Sequence, residues 1–548
     1  LSEASNMPAI LELRIRACHV RGSFITKANR APAVSTQHLM AEPAKFDYMR
    51  LAHPPVTFRH EKRKLEERIP AARDYIVRHG LNEFITGNTH PDVGLIVQGG
   101  LYNALMRSLQ QLGLANAFGE SDIPILVLNV TYPLVPAQVI DFCQSKRGVL
   151  VVEEGTPEYI EQDIATQLRR AGVNTPLHGK DILPGAGEYN VEAITSGLSP
   201  FIAKYLSADT AKAAQQWSND LQQRRADVAK ALGQALPARP PGFCIGCPER
   251  PVFSALKLVQ QEIGDLHIAA DIGCHALGTF EPFSTGHSIL GYGMRLASRA
   301  GVSPMMQRRT LAIMGDGGFW HNGLLTGVQS ALFNGDDAVL LIFKNGYTSA
   351  TGTQDIISTP MEAEKQAATD KHSSLSHTNM TIESTLQGLG VQWLKTVHTY
   401  EVANVKALLK DAFTSEFNGL KVIIAEGECQ LERQRRIKPW IQSLLKKGKR
   451  VVRVKYGVDE DVCNGDHACI RLSGCPTLTL KDNPDPLKVD PVATVIDGCV
   501  GCGLCGENAH AATLCPSFYR AEIIQNPGLF ESLWAGIQTR LVRAMQTA

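Results

Sequence analysis

Several domains of α/β type, with parallel sheets flanked by helices and a small cysteine-rich domain near the C-terminal end, are what this sequence predicts. Three observations carry that expectation. At 548 residues the chain exceeds what one hydrophobic core serves, and ordinary domain sizes suggest roughly three or four domains. Short apolar runs alternate with amphipathic stretches, a pattern that builds parallel sheets. Seven of the thirteen cysteines fall between residues 463 and 515.

In chain order, Pro8-Ala-Ile-Leu-Glu-Leu-Arg-Ile-Arg16 reads as the last strand of a domain whose earlier part would lie upstream of Leu1, so residues 1–30 are taken as a domain end. Residues 31–91 read as a linker with a solvated charged helix from Arg59 to Arg68. Residues 92–199 form an α/β domain. Val93–Val97 is a buried strand, Gln98-Gly99-Gly100 a tight turn and Leu101–Leu112 an amphipathic helix, with further strands at Ile125–Val130 and Gly148–Val152. The glycine pair could approach a phosphate, but tight packing explains it equally simply.

Residues 200–240 read as a helical connector ending in Pro237-Ala-Arg-Pro240, and 241–445 as a second α/β domain. The cysteine-rich domain spans 446–525. In the tail, 526–548, Leu529, Leu533, Trp534, Ile537 and Leu541 share one helix face, which suits a docking or core helix.

Composition narrows the function classes. With 55 basic and 54 acidic residues the chain has no global field that would attract nucleic acid or an anionic membrane. No apolar run reaches the ~18 residues of a spanning helix. Clustered cysteines at metal-ligand spacing fit a reducing cytoplasmic location better than a secreted disulfide scaffold.

The cysteine order is Cys463, Asp466, Cys469, Cys475-Pro476, then Cys499, Cys502, Cys505, Cys515-Pro516. It resembles a two-cluster ferredoxin with one ligand changed. Such proteins place three ligands at two-residue gaps before a Cys-Pro whose thiolate crosses to the other cluster. One 4Fe-4S cluster would then take Cys475, Cys499, Cys502 and Cys505, the other Cys463, Asp466, Cys469 and Cys515. Carboxylate is a harder ligand than thiolate, so the Asp466 corner is expected to release iron and leave a 3Fe-4S form. A zinc ribbon or disulfides would leave both Cys-Pro steps unexplained. His467 and His510 sit among these ligands and would tune potential rather than ligate. Cys18 and Cys143 read as isolated core thiols.

A second constellation lies upstream. Leu311–Met314 is a buried strand running into Gly315-Asp316-Gly317-Gly318, with a helical stretch from Asn322 to Phe333, and the next strand, Ala338–Phe343, leads to Asn345-Gly346-Tyr347. Adjacent parallel strands end on one rim, so Asp316 and Asn345 can meet although 29 positions apart. Asp and Asn oxygens with a main-chain carbonyl suit Mg²⁺ carrying phosphate oxygens, and glycines allow close backbone approach.

This arrangement resembles the thiamine diphosphate signature, and Ser349-Ala-Thr351-Gly352-Thr-Gln354 resembles the loop that follows it in 2-oxoacid:ferredoxin oxidoreductases. Together with the ferredoxin pattern it is similar to the alpha subunit of the indolepyruvate ferredoxin oxidoreductase family. Cys244-Ile-Gly-Cys247-Pro248, Asp271-Ile-Gly-Cys274 and Gly286-His-Ser-Ile-Leu-Gly291 also fit that pattern.

The resemblance implies that Asp316, Asn345 and the Tyr347 carbonyl hold Mg²⁺. Gly315, Gly317, Gly318, Ser349, Thr351 and His287 would lie against the thiamine diphosphate, and His321 and His275 could move protons. Cys244, Cys247, Cys274 and Cys429 form a candidate third cluster, although a Cys-x-x-Cys-Pro loop can be structural. By the same resemblance residues 1–30 end a pyrimidine-binding domain, whose activating glutamate has no counterpart in this chain, and 92–199 is a transketolase C-terminal-like domain. The implied reaction is CoA-dependent oxidative decarboxylation of an arylpyruvate, with electrons passed to ferredoxin. A smaller partner subunit and a dimer of heterodimers are implied as well. The alternatives are an oxidoreductase for another 2-oxoacid and an electron-transfer subunit with a vestigial thiamine site.

Overall fold

The computed structural model describes residues 1–18, 21–23, 46–236, 241–359 and 380–546. They fall into two compact units, Leu1–Pro237 and Ala238–Ala548. The Pro237–Pro240 boundary and residues 31–45 of the expected linker lie outside the described residues.

In the first unit the apolar runs form β1 (Glu83–Ile85), β2 (Val93–Gln98), β3 (Ile125–Leu128), β4 (Gly148–Val152) and β5 (Leu177–His178), in the order β1-β3-β2-β4-β5. All neighbours are parallel except β1, which pairs antiparallel with β3 at the edge. Alternate residues face opposite layers, as strand geometry requires. Val93, Leu95 and Val97 pack with Leu105, Ile194 and Phe201, whereas Ile96, Leu126 and Val149 pack with Val139 and Ile164. Cys143 belongs to this second layer, as expected of a core thiol.

Several boundaries shift. The charged stretch is helical as expected, but helix Ile69–Arg78 and β1 take part of the linker into this unit, with Ala72 and Ile76 buried. Helix Val191–Tyr205 runs through the expected boundary at residue 199, because Phe201, Ile202 and Tyr205 extend its buried face. The connector is the following helix, Ala208–Leu232.

Pro8–Arg16 is not a strand. Ile10, Leu11 and Leu13 are exposed, and a short helix, Ile15–Cys18, follows and leaves Cys18 exposed rather than in a core. Arg14 instead pairs with Glu154 at 2.5 Å and donates to the Gly100 carbonyl at 3.3 Å. A Cβ on Gly99 would sit 2.4 Å from Asn129 Oδ1, so close packing accounts for that glycine.

The second unit holds β6 (Ile268–Ala270), β7 (Leu311–Gly315), β8 (Val339–Lys344), the short pair β9 (Tyr347–Thr348) and β10 (Gln354–Asp355), β11 (Trp393–His398) and β12 (Lys421–Glu426). The main sheet runs β11-β12-β8-β7-β6 and is parallel throughout. Helices Arg250–Ile263 and Val402–Thr414 cover one face, while Arg295–Val302 and Ile382–Gly388 cover the other.

The cysteine-rich domain is framed by an eight-residue antiparallel ribbon of β13 (Val451–Val458) and β16 (Phe518–Gln525), with a hairpin of β14 (Leu478–Lys481) and β15 (Val492–Val495). It shares a core with the sheet below it, since Leu472 and Leu504 join the cluster around Phe253 and Phe343. At that junction buried Ser254 donates to the Leu472 carbonyl at 2.7 Å and accepts from Asn508 Nδ2 at 3.0 Å. Ser254→Ala strands both groups, and a stability loss of about 1–3 kcal/mol is expected in denaturant unfolding followed by circular dichroism.

The last helix, Leu529–Gln546, is no core helix: Leu529 and Phe530 are 91% and 90% exposed. No helix among the described residues is long and apolar enough to cross a membrane.

Candidate functional site

At the carboxyl end of β7 the buried run stops at Gly315, and a helix opens at once with Asp316, six residues before the predicted start. Its continuation, Phe319–Gln329, is wound in wider turns and ends in Ser330–Phe333. Asp316 is fully buried. Its Oδ1 accepts from Gly317 N (2.9 Å), and its Oδ2 from Asn345 N (2.8 Å) and Gly346 N (2.6 Å). Burial pushes its carboxyl up to about 7, against the pull of these amides.

Asn345 Oδ1 accepts from Tyr347 N at 3.2 Å and Ser349 Oγ at 2.9 Å, and Ser349 also reaches the Tyr347 carbonyl at 3.4 Å. The parallel sheet thus brings Asp316, Asn345, Tyr347 and Ser349 to one corner. Thr351, in contrast, is exposed and spends its hydroxyl on Gln354 within its own turn.

The glycines permit contacts that a side chain would block. A Cβ on Gly317 would lie 2.4 Å from both Tyr292 Oη and Thr348 Oγ1, and one on Gly318 would lie 2.5 Å from Asp271 Oδ2. His321 is exposed and stands against Tyr292 with ring centroids 5.5 Å apart. His275 is buried beside Gly315 and stacks on Phe343 at 6.0 Å, and burial lowers it to about 3, so it is neutral near pH 7. Its Nε2 has no hydrogen-bond partner.

His287 lies elsewhere. It is exposed and stacked on His267, and its Nδ1 accepts from Ile268 N at 3.1 Å. Ile268 begins β6 and pairs with Leu311, four residues back along the sheet from Gly315. The Asp316 rim is therefore roughly 13 Å away along the strand direction.

Two further carboxylates complete the corner, Glu249, which sequence reasoning missed, and Asp271, which it offered only within Asp271-Ile-Gly-Cys274. Glu249 is 2% exposed, accepts from Asn345 Nδ2 at 3.3 Å and lies 3.9 Å from His275 Nδ1. Burial, reinforced by the Asp316 charge, pushes it up to about 8. Asp271 is buried, accepts from Gly293 N at 2.7 Å and is raised to about 6 by burial. Glu249 Oε2 and Asp271 Oδ1 have no hydrogen-bond partner. Asp271 Oδ1 faces the buried Arg295 guanidinium at 3.7 Å, whereas the open Glu249 oxygen, the Asp316 carboxylate and glycines that admit close approach fit a cation and a diphosphate.

The cysteines line three cavities. Cys475, Cys499, Cys502 and Cys505 line one, together with Ile245, Arg250 and Thr477. A second is lined by Cys463, Asp466, Cys469 and Cys515, with His467 alongside. Around the third stand Cys244, Cys247, Cys274 and Cys429, with Glu249, Asn345 and Ser349 in the same wall. All thirteen cysteines are unbridged.

Among the described residues no three His, Cys, Asp or Glu side chains converge on a single-ion position. In a four-iron cluster each ligand binds a different iron, so the ligands surround a volume rather than a point, and the three cavities fit that requirement. Burial pushes the Cys469 thiol up to about 11, and Cys247, Cys274 and Cys505 are raised further, a cost that iron ligation would relieve. Asp466 is already engaged: its Oδ1 is 3.0 Å from Arg471 Nη2 and its Oδ2 accepts from Ala468 N, with Arg471 holding the carboxyl below its usual range. His467 Nε2 donates to the Pro491 carbonyl, 2.8 Å away, and His510 is exposed.

The model of the thiamine pyrophosphate enzyme C-terminal TPP-binding domain matches residues 268–425, from β6 to β12. Indolepyruvate oxidoreductase subunit IorA of Methanothermobacter thermautotrophicus is 26% identical over 525 residues, covering 94% of this chain and 74% of that subunit. The same subunit of Pyrococcus abyssi is 26% identical (92% and 73% covered), and that of Archaeoglobus fulgidus is 27% identical (94% and 72% covered).

Proposed function

Because this chain belongs with the indolepyruvate ferredoxin oxidoreductase alpha subunits, thiamine diphosphate-dependent 2-oxoacid:ferredoxin oxidoreductases, we propose that it oxidatively decarboxylates an aromatic 2-oxoacid with CoA and reduces ferredoxin. A smaller partner subunit, a dimer of heterodimers and a cytoplasmic location complete the proposal. The observation that carries it is a shared wall: Asn345 and Ser349 belong both to the Asp316 corner and to the cavity of Cys244, Cys247, Cys274 and Cys429. Cys429 N also donates to the Asn345 carbonyl at 3.1 Å. A 2-oxoacid site and a one-electron acceptor would then be neighbours.

Asp316, Asn345 and the Tyr347 carbonyl would hold Mg²⁺, with Gly317 and Gly318 allowing the diphosphate to approach. When bound, thiamine diphosphate supplies a carbanion equivalent that attacks the ketone and stores the electrons left by departing CO₂. Neutral His275 and the raised Glu249 keep negative charge low around that centre. His321 stands at the exposed edge beside Tyr292, open to water. Clusters held by the thiol sets would supply one-electron acceptors, the set of Cys244, Cys247, Cys274 and Cys429 being the one that adjoins Asn345. The loop between Cys244 and Cys247 then meets the second set, since a Cβ on Gly246 would touch Val500 at 2.6 Å and Cys502 at 3.7 Å.

The test is anaerobic: the native complex is mixed with indolepyruvate and CoA, and cluster bleaching and ferredoxin reduction are followed, with pyruvate as control. Indolepyruvate alone should bleach the clusters. Equal rates with pyruvate would move the assignment to another 2-oxoacid, and dithionite-reducible clusters that no oxoacid reduces would leave an electron-transfer subunit.

The Asp466 corner yields a separate expectation. To bind iron, its carboxylate must give up Arg471 and the Ala468 amide, so that iron should be the first lost on oxidation. Asp466→Cys is expected to abolish the three-iron EPR signal seen after ferricyanide treatment, retaining about one more iron per chain in the washed protein. Unchanged iron loss would show that Asp466 is no ligand.

A further inference from the structure

Arg250 is 1% exposed at the first turn of helix Arg250–Ile263, between two of the cysteine cavities. Its Nη2 donates to the carbonyls of Phe243 at 2.5 Å and Cys244 at 2.7 Å, bracing the loop that carries Cys244 and Cys247. The same side chain lines the cavity of Cys475, Cys499, Cys502 and Cys505. Its Nε and Nη1 are buried without a hydrogen-bond partner. A guanidinium buried with bare donors is costly unless an anion faces it.

We propose that Arg250 is the fixed counter-charge of the relay, a positioning residue that makes the centre held by Cys475, Cys499, Cys502 and Cys505 easier to reduce than the one at Cys244, Cys247, Cys274 and Cys429. This rests on the cluster reading above and adds a residue that no ligand pattern contains. A four-thiolate cluster is anionic, and one-electron reduction adds one negative charge without a proton. A guanidinium in its wall therefore favours the reduced form. Arginine keeps its charge at any pH the protein survives, so the effect does not titrate. Its Nη2 is spent on the Phe243 and Cys244 carbonyls, and the side chain lines the cavity of Cys475, Cys499, Cys502 and Cys505 but not that of Cys244, Cys247, Cys274 and Cys429.

The experiment compares anaerobically purified wild-type, Arg250→Met and Arg250→Lys complexes. Dithionite and mediators set the potential, each centre is followed by EPR, and the signal of interest is assigned by its loss in Cys502→Ala. In Arg250→Met the reduction equilibrium of that centre should fall roughly tenfold, about 59 mV more negative for one electron. The shift should be equal at pH 6.5 and 8.5, the Asp466 centre should stay put, and Arg250→Lys should recover most of it. Unshifted potentials in iron-replete Arg250→Met overturn the proposal. If Arg250→Met loses that cluster, Arg250→Lys decides: retained iron at the wild-type potential upholds the counter-charge, and equal loss overturns it. A wild-type complex without iron would instead overturn the cluster reading itself.

Discussion

Asp316→Asn is expected to leave a folded, iron-replete protein that no longer retains thiamine diphosphate. The carboxylate is the one anionic group proposed to touch Mg²⁺, and it also fixes the turn that presents Asn345, since one oxygen takes both the Asn345 and Gly346 amides. An asparagine can keep those two bonds only by turning its NH₂ toward Gly317 N, so the variant loses both the charge and one hydrogen bond. Lost outer-shell partners alone cost about 10–100-fold in metal affinity, so losing a ligand should weaken Mg²⁺-thiamine diphosphate binding by at least about 100-fold. Calorimetry with desalted protein measures this, and unchanged binding would remove Asp316 from the site.

The same residue sets a pH dependence. Its folded value is about 7 against an ordinary 3.8, because burial penalises the charged form. Without metal the native state therefore holds a proton that the unfolded chain has released, and stability falls as pH rises from about 4 to 7, then levels. A cation at the carboxylate reverses this logic, so binding below pH 7 should release a proton. Apparent affinity should rise up to about tenfold per pH unit below 7 and flatten above it. Glu249, raised to about 8, would extend a weaker slope to that pH. Titrations in buffers of different ionisation enthalpy would count the protons, and Asp316→Asn should remove the steeper part.

The rim that joins Asp316 to Asn345 was legible because it needs only local information. A four-residue apolar run ending in glycine marks a strand end, and the parallel pattern says which ends coincide. Cysteine spacing was equally local for the two sets between residues 463 and 515, each of which lines its own cavity, while the set of Cys244, Cys247, Cys274 and Cys429 came from the family resemblance and lines a third. Glu249 was not legible. After a Cys-Pro step at a helix start, a glutamate usually faces water, and its burial arises because helix Arg250–Ile263 is wedged between the sheet and the cysteine-rich domain through Ser254, Leu472 and Asn508. Pro8–Arg16 alternates like a strand but finds no strand partner among the described residues. His287 misled for a related reason: the glycine-flanked segment bridges β6 in parallel at Ser288, and sequence does not reveal that residue 287 thereby lies at the amino end of that strand. The helix predicted from Asn322 begins at Asp316 because Gly317 and Gly318, poor helix formers, are accommodated where no Cβ would fit.

Cys502→Ala is expected to separate substrate oxidation from acceptor reduction. Cys502 lies where the two thiol loops touch, and Gly246 can pack there only because it has no side chain and sits at φ 71°. Alanine cannot ligate iron, so the variant should lose about four irons per chain, while the other two sets keep theirs. The Asp316 corner lies on the far side of the Cys244–Cys429 cavity and is untouched, so bound thiamine diphosphate should match wild type. Indolepyruvate and CoA should still bleach the centre nearest Asn345 once in a stopped-flow trace. Ferredoxin reduction should fall to background, because the electron has no next site. If ferredoxin were reduced at the wild-type rate, electrons would leave directly from the first set, and the remaining clusters would not form the path.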